Sequence, residues 1–327
     1  MTSVVPRLAV ILPAYNEELT IEAVIRDFHA ALPEAAIYVV DNNSSDRTGD
    51  IARHTLASAG CAGSVITELR QGKGNALRRA FMEVDAEIYV LSDADLTYPA
   101  SRARDLIKPV AQGRADMVVG DRHSGGHYSE QNKRRLHEFG NELVKRMINM
   151  FFRSHLRDIM SGYRVFSRSF VKNYAILVEG FQVETDMTLH ALDKRFRIIE
   201  MPVEYVDRPA GSFSKLNTFS DGAKVIFTIL QILRHYKPFM FFSGLALVCL
   251  ILGLVAAVPV ANDWIAFRFI HHIPLAILAT GLEIVAVVMF AVGLMLDSIT
   301  HQERRNFELG LLREPVRPHT HEDSARE

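Results

Sequence analysis

Asp93 and Asp95 stand one residue apart at the end of the apolar run Ile88-Tyr89-Val90-Leu91, in the order Leu91-Ser92-Asp93-Ala94-Asp95-Leu96-Thr97. Residues i and i+2 of an extended chain face the same way, so the two carboxylates are spaced to converge on one hard divalent cation. The carboxyl end of a strand is where open α/β sheets hold ligands. An isolated Asp-x-Asp is also an ordinary polar turn, so its surroundings decide between the two readings.

Three other stretches carry chemistry of a compatible kind. Arg70-Gln71-Gly72-Lys73-Gly74-Asn75 sets two glycines around a lysine at a helix start, where free N-H groups and the positive end of the dipole favour phosphate. It lacks the Walker spacing and the Ser/Thr after lysine, which excludes a P-loop ATPase. Asp41, Asn43 and Asp46 follow the apolar run Ala36 to Val40, placed to accept hydrogen bonds from a base or ribose, with Pro13, Tyr15 and Glu17 shaping the adjoining wall. Each of these also serves as a helix cap or turn former, Asp46 especially.

The elements that must position these residues are regular. Leu8 to Leu12 reads as a strand buried on both faces, followed by a helix over 19–32. Ala36 to Val40 is a second strand with a helix to about Ser58, and Val65 to Leu69 a third with a helix over Leu77 to Val84. Strand and helix alternating through short loops predict an α/β fold with a right-handed doubly wound sheet.

The chain has 327 residues and a formal net charge of −1, which gives no global pull toward nucleic acid. Its two cysteines, Cys61 and Cys249, support neither a disulfide framework nor a zinc site and point to a reducing compartment. Met1 to Arg7 lacks the basic and apolar regions of a cleaved signal peptide. Phe239 to Val260 and Ile273 to Leu296 are each long and apolar enough to span a bilayer, with Trp264 in the linking loop. Arg234, His235 and Lys237 before the first span, and Arg304, Arg305, Arg313 and Arg317 after the second, predict a multi-pass protein of the cell membrane with both termini cytoplasmic. Val225, Ile226, Ile229, Leu230 and Leu233 predict an amphipathic helix over 221–237 lying at the interface. Glu283 falls in the middle of the second span, and the tail beyond Leu312 has the composition of a disordered segment.

The ordered set LPAYNEE, VVDNNSSDRT, QGKGNALRRA and LSDADLTYP resembles glycosyltransferase family 2 with the GT-A fold. The later segments VVGDR, DIMSGYR, GFQVETD and RPAGSFSK are similar to the polyprenyl-phosphate sugar transferases typified by dolichyl-phosphate mannosyltransferase. The likeness covers roughly residues 8–236. It implies a cytosolic GT-A domain over 1–220, the helix over 221–237, a two-helix anchor over 238–300 and a cytosolic tail over 301–327.

The resemblance also implies that Asp93 and Asp95 hold Mg²⁺ or Mn²⁺ against the donor diphosphate, and that Asp41 reads the base. Asp158 and Arg164 are expected near the reacting centre, with Asp158 either orienting sugar hydroxyls or holding Arg164 by an ion pair. Arg122, one or more of Lys133, Arg134 and Arg135, and also Arg208 and Lys215 are expected around the acceptor phosphate. Glu184 either binds the sugar or caps its helix. Thr97 stands where the mannosyl enzymes have a glutamine ligand, and would be a weaker one.

The chemistry agrees. A lipid phosphate is already anionic near neutral pH, so cations that position it matter more than a base. The expected reaction is inverting transfer of one sugar from a nucleotide-diphosphate sugar, a UDP-sugar favoured over GDP-mannose, to undecaprenyl or dolichyl phosphate. The expected partners are donor, lipid and membrane, without nucleic acid, and the membrane helices offer a surface for pairing with a second copy. A processive polysaccharide synthase would want a Gln-x-x-Arg-Trp motif and more spans; a non-catalytic partner of a lipid flippase would not need the Asp93, Asp95 and arginine set.

Overall fold

The run Leu8-Ala9-Val10-Ile11-Leu12 has no polar position, and it becomes strand β1 (Leu8–Ala14), buried on both faces at the centre of a sheet. The computed structural model describes residues 7–124, 135–178, 182–206 and 230–313. Two compact units divide the chain, Met1–Phe219 and Ser220–Glu327.

In the first unit, β1 is joined by β2 (Ala36–Asp41), β3 (Gly63–Thr67), β4 (Ile88–Leu91), β5 (Met117–Asp121), β6 (Arg164–Ser167) and β7 (Ile198–Pro202). The seven strands lie in the order β3-β2-β1-β4-β6-β5-β7. All neighbours pair parallel except β6, which runs antiparallel to both β4 and β5. The first three βα segments are parallel as a doubly wound sheet requires, and beyond them the sheet becomes mixed. Reversing β6 places the loop that precedes it, rather than one that follows it, over the edge where β4 and β5 end.

Alternate residues of the strands feed two cores. Val10, Leu12, Ile37, Val39 and Val90 face helix α1 (Ile21–Ala31) and helix α4 (Ala103–Ala111), with Phe28 filling the layer edge-on to Tyr163. Ala9, Ile11, Val40, Tyr89 and Leu91 face helix α3 (Lys73–Glu83), with Leu77, Ala80 and Phe81. Each fully buried large side chain contributes about 1.5–3 kcal/mol by leaving water, so the sheet's centre is the stiffest part of the unit. Helix α2 (Thr48–Ser58) follows β2, and helices α5 (Arg135–Phe152), α6 (Arg168–Lys172) and α7 (Val183–Asp193) complete the described set.

Two boundaries differ from the sequence pattern. β3 ends at Thr67, leaving Leu69 mostly exposed, because Gly63 enters at positive φ and pairs with Ile37 two residues earlier than expected. α3 starts a turn early, at Lys73.

In the second unit, residues 230–236 are helical, with Leu230 exposed, Leu233 half-buried and Ile232 buried, and 221–229 lie outside the described residues. Helices α8 (Pro238–Phe267) and α9 (Ile273–Arg313) are both long and apolar enough to cross a membrane. They form an antiparallel hairpin in which Gly253 lies against Glu283 and Gly293 against Phe242, small residues allowing close approach. Trp264 sits inside α8 rather than in the loop, since the helix runs through Pro259 and leaves only residues 268–272 to turn. The turn is tied by Asp263, which accepts bonds from the backbone N-H groups of His271 and His272. α9 continues well beyond Leu296, so the first residues of the expected tail are helical and 314–327 lie outside the described residues.

Candidate active site

Strand β4 ends at Leu91, two residues before the first aspartate, so Asp93 and Asp95 sit in a turn rather than on extended chain. The turn is held from below: Thr20, fully buried at the start of α1, donates its hydroxyl to the carbonyl of Ala94 at 2.7 Å. Asp95, only 3 % exposed, accepts from the Thr97 backbone N-H at 3.2 Å and from the Thr97 hydroxyl at 2.5 Å. Leu96 between them adopts φ 62°, a left-handed conformation that costs a leucine energy and persists where surroundings impose it. Thr97 is buried and turned onto Asp95, which corrects its expected place as a weak metal ligand.

Lys73 reaches across from the first turn of α3. Its ammonium pairs with Asp93 and, at 2.5 Å, with Glu184 in the first turn of α7. The lysine side chain is 8 % exposed and that of Asp93 28 %. Burial alone would discharge the ammonium, but Asp93 and Glu184 together hold its pKa above the ordinary lysine range. Two groups of the expected phosphate cradle already have partners within the chain. The lysine charge is already bridged between carboxylates, and the Gly72 N-H is donated to Asn42 Oδ1 at 2.7 Å.

The loops after β1 and β2 lie side by side and interlock. Asn16 N-H donates to the Ser44 hydroxyl at 3.0 Å, Ser45 N-H to Asn16 Oδ1 at 2.8 Å, and Glu17 N-H to the Thr48 hydroxyl at 2.8 Å. Asn16 and Asn43 both take the left-handed conformation that asparagine tolerates. Asp41 ends β2 and accepts the Ser44 N-H at 3.1 Å; its carboxylate lies against Gly49, where a Cβ would stand 2.6 Å from Oδ2. Asp46 accepts from the N-H groups of Thr48 and Glu18, the capping role its type allows. Tyr15 is half-buried and its hydroxyl accepts from the Gln71 amide at 3.1 Å, while Pro13 pairs with Val40 in the sheet.

The loop before β6 closes the other side. Gly162 packs on Asp93, where a Cβ would stand 2.5 Å from Oδ2, and its N-H donates to the Tyr98 hydroxyl at 3.1 Å. Asp158, with 1 % of its side chain exposed, takes a two-pronged bond from Arg122, Nε to Oδ2 at 2.7 Å and Nη2 to Oδ1 at 2.9 Å. Burial works against this carboxylate, yet the guanidinium holds its pKa below the usual aspartate value. The expected Asp158–Arg164 pair is therefore corrected to Asp158–Arg122. Arg164 is wholly buried and donates to the carbonyls of Ser161 and Ile159, both at 2.8 Å, and to the Thr188 hydroxyl at 2.9 Å. It shapes the loop from beneath and presents no surface to a substrate. Arg122 keeps a place at this edge, over the Tyr205 ring, with two of its nitrogens committed to Asp158.

Arg134, Arg208 and Lys215 lie outside the described residues, and Arg135 is described only as the first residue of α5. Among the described residues no group of three His, Cys, Asp or Glu side chains is placed to hold a metal. The donors present, two carboxylates in one turn, still suit a hard cation whose remaining ligands are substrate phosphates and water.

Several supporting residues carry no motif-level signal. Asn42 ties the loop after β2 to the loop after β3, donating to the carbonyls of Glu68 and Arg70 and accepting from the Gly72 N-H. Glu200 on β7 accepts the N-H groups of Arg157 and Asp158. An asparagine after an apolar run is a usable sign of loop stitching; a glutamate on an edge strand is not.

The profile of the family described as Glycosyl transferase family 2 matches residues 9–175, half of the chain. The chain belongs to this family. Among similar members, "Glycosyltransferase AglJ" of Haloferax volcanii is 28 % identical over 302 residues, covering 92 % of this chain and 96 % of that one. The "Dolichyl-phosphate hexose transferase" of the same organism is 28 % identical over 225 residues, covering 69 % and 93 %. Glucosyl-3-phosphoglycerate synthase from Mycobacterium tuberculosis, solved with Mn²⁺, UDP and phosphoglyceric acid, shares the fold with a TM-score of 0.51 at 24 % identity, covering 70 % of this chain and 78 % of that one. The mixed sheet is thus GT-A-like, and the chain is a family 2 glycosyltransferase.

Proposed function

We propose that this glycosyltransferase moves one sugar from a nucleotide-diphosphate sugar, a UDP-sugar by preference, to a polyprenyl phosphate at the cytoplasmic face of the membrane. One observation carries the reading: Asp93 and Asp95 stand at the carboxyl end of β4, beside the interlocked β1 and β2 loops, in a chain that ends in a hairpin of two helices apolar enough to cross a bilayer. The names of relatives such as the dolichyl-phosphate hexose transferase support the lipid phosphate, and the Mn²⁺ and UDP of the structural neighbour support the donor and the cation.

Asp93 and Asp95 would hold Mg²⁺ or Mn²⁺, which when bound supplies positive charge against the leaving diphosphate. Asp41, with Asn43, Tyr15, Glu17 and Pro13 around it, would receive the nucleoside; Asp46 serves mainly to fix the loop. The acceptor phosphate oxygen attacks the anomeric carbon as the bond from that carbon to the diphosphate oxygen breaks, inverting the centre. No side chain has to take a proton. Asp158, locked by Arg122 and held in its ionised form, is a positioning group rather than a base. Arg122, with Arg134, Arg135, Arg208 and Lys215 from the neighbouring sequence, would gather the lipid phosphate. Residues 221–237 would lie at the interface, ahead of the anchor over 238–300.

Membranes containing the chain, incubated with radiolabelled UDP-glucose, GDP-mannose or UDP-N-acetylhexosamine and polyprenyl phosphate, should place label in the organic phase with one donor. Label in a soluble acceptor with none in lipid overturns the proposal.

A further inference from the structure

The Lys73 ammonium occupies the position where a cation on Asp93 would be expected. It is buried, it pairs with Asp93, and its second partner, Glu184, belongs to a different element and is itself only 5 % exposed. Two carboxylates drawn to one site repel, and neither the buried Glu184 nor the part-exposed Asp93 pairs with another cation among the described residues. An internal lysine that satisfies them keeps the turn ordered while the site is empty. It also stands in competition with any divalent ion for the Asp93 carboxylate.

We propose that Lys73 is an exchangeable internal cation: it holds Asp93 in the empty enzyme, and it gives up that carboxylate to the divalent ion when the donor binds, its ammonium moving onto the donor's diphosphate while Glu184 keeps it in the site. The inference rests on the reading of Asp93 as a metal ligand. Glu184 is then a positioning residue, acting through Lys73. Its place in the first turn of α7 makes that helix responsive to whether the donor site is filled. The linkage is thermodynamic: a site blocked for most of the time has its affinity scaled down to the fraction of time it is open, and a second ligand that removes the block binds cooperatively with the first. Divalent ion and nucleotide diphosphate should therefore each tighten the other beyond their direct contact.

The test is calorimetric titration of the full chain in detergent micelles with Mn²⁺ alone, with UDP alone and with Mn²⁺ under saturating UDP. Wild type, Lys73→Met, Glu184→Gln and Asp93→Asn are compared. Lys73→Met should bind Mn²⁺ alone about fivefold more tightly or better, as expected if the free site is open a fifth of the time or less. That gap should close when UDP is saturating, because the wild-type lysine has by then left Asp93. Glu184→Gln, which leaves Lys73 with Asp93 alone, should bind Mn²⁺ alone more weakly than wild type, and it keeps the test open should Lys73→Met fail to fold.

A Lys73→Met affinity equal to or below wild type overturns the proposal, and so does a gap that persists unchanged under UDP, which would be the signature of a fixed charge. Failure of the metal reading itself looks different: Asp93→Asn would then bind Mn²⁺ as wild type does, with and without UDP.

Discussion

The two halves of the active-site edge are built in different ways. Loops after β1 and β2 leave the sheet at the ends of adjacent parallel strands and interlock directly, as in the bonds between Asn16, Ser44 and Ser45, and Thr20 at the start of α1 holds the β4 loop. The edge formed by β5 and β6 depends on an antiparallel strand and on pairs far apart in sequence, Arg122 with Asp158, Asp158 with Glu200, Gly162 with Tyr98. The strands of the first half are specified by apolar runs and the helix periods between them, whereas the second turns on a strand whose direction no local pattern specifies. The first is accordingly the donor side in our proposal, and the second the side that adapts to acceptor.

The sharpest way to break this division is to remove a donor-side carboxylate. Asp95→Asn should lower kcat by about 10²-fold or more, the scale of losing charge stabilisation at a leaving group, with folding retained by circular dichroism. A variant that keeps a tenth of wild-type activity would place the divalent ion elsewhere. Next in size is the acceptor side. Arg122→Ala strands the buried Asp158 and should cost about 3 kcal/mol in chemical denaturation. Asp158→Asn in the same background should recover part of that loss, since no buried charge then remains unpaired.

Gly162→Ala tests the seam where the halves meet. Its added methyl cannot coexist with the present Asp93 carboxylate, so activity should fall about tenfold while the melting temperature changes little. Loss of stability without loss of rate would show that the loop, not the aspartate, gives way.

A smaller effect is the pH dependence of the Arg122–Asp158 pair. The folded pKa of Asp158 lies below its unfolded value near 3.8, so its stabilisation is complete above that value and is lost as pH falls through the folded one. Wild type should lose stability below about pH 4 more steeply than Asp158→Asn when the two are compared by denaturant titration. Smallest is Thr20→Val, which removes the bond to the Ala94 carbonyl and should cost about 1 kcal/mol.

The same contrast explains what could be read from the residues alone. Apolar runs and the helix periods between them made β1, β2 and α1 to α3 legible, and the Asp93-Ala94-Asp95 turn with them. The reversed direction of β6 was not legible, because a four-residue strand has no local feature that distinguishes parallel from antiparallel pairing. Arg164 looked like a substrate ligand because arginine is usually exposed; only the carbonyls that surround it reveal a buried post. The carboxylate partners of Lys73 were not legible, because they stand on β4's turn and on α7, away from it in sequence. The chain's own cation was hidden for the same reason that the acceptor side was.

The most direct test of the account is a comparison of acceptors that differ only in charge. With the preferred radiolabelled donor and the purified chain in micelles, transfer to a polyprenyl phosphate and to the corresponding uncharged polyprenol is measured at equal concentration. Label is expected in the phosphate lipid alone, since a phosphate oxygen attacks without a base and Asp158, the carboxylate nearest the acceptor side among the described residues, is locked by Arg122. Equal transfer to the alcohol would contradict it.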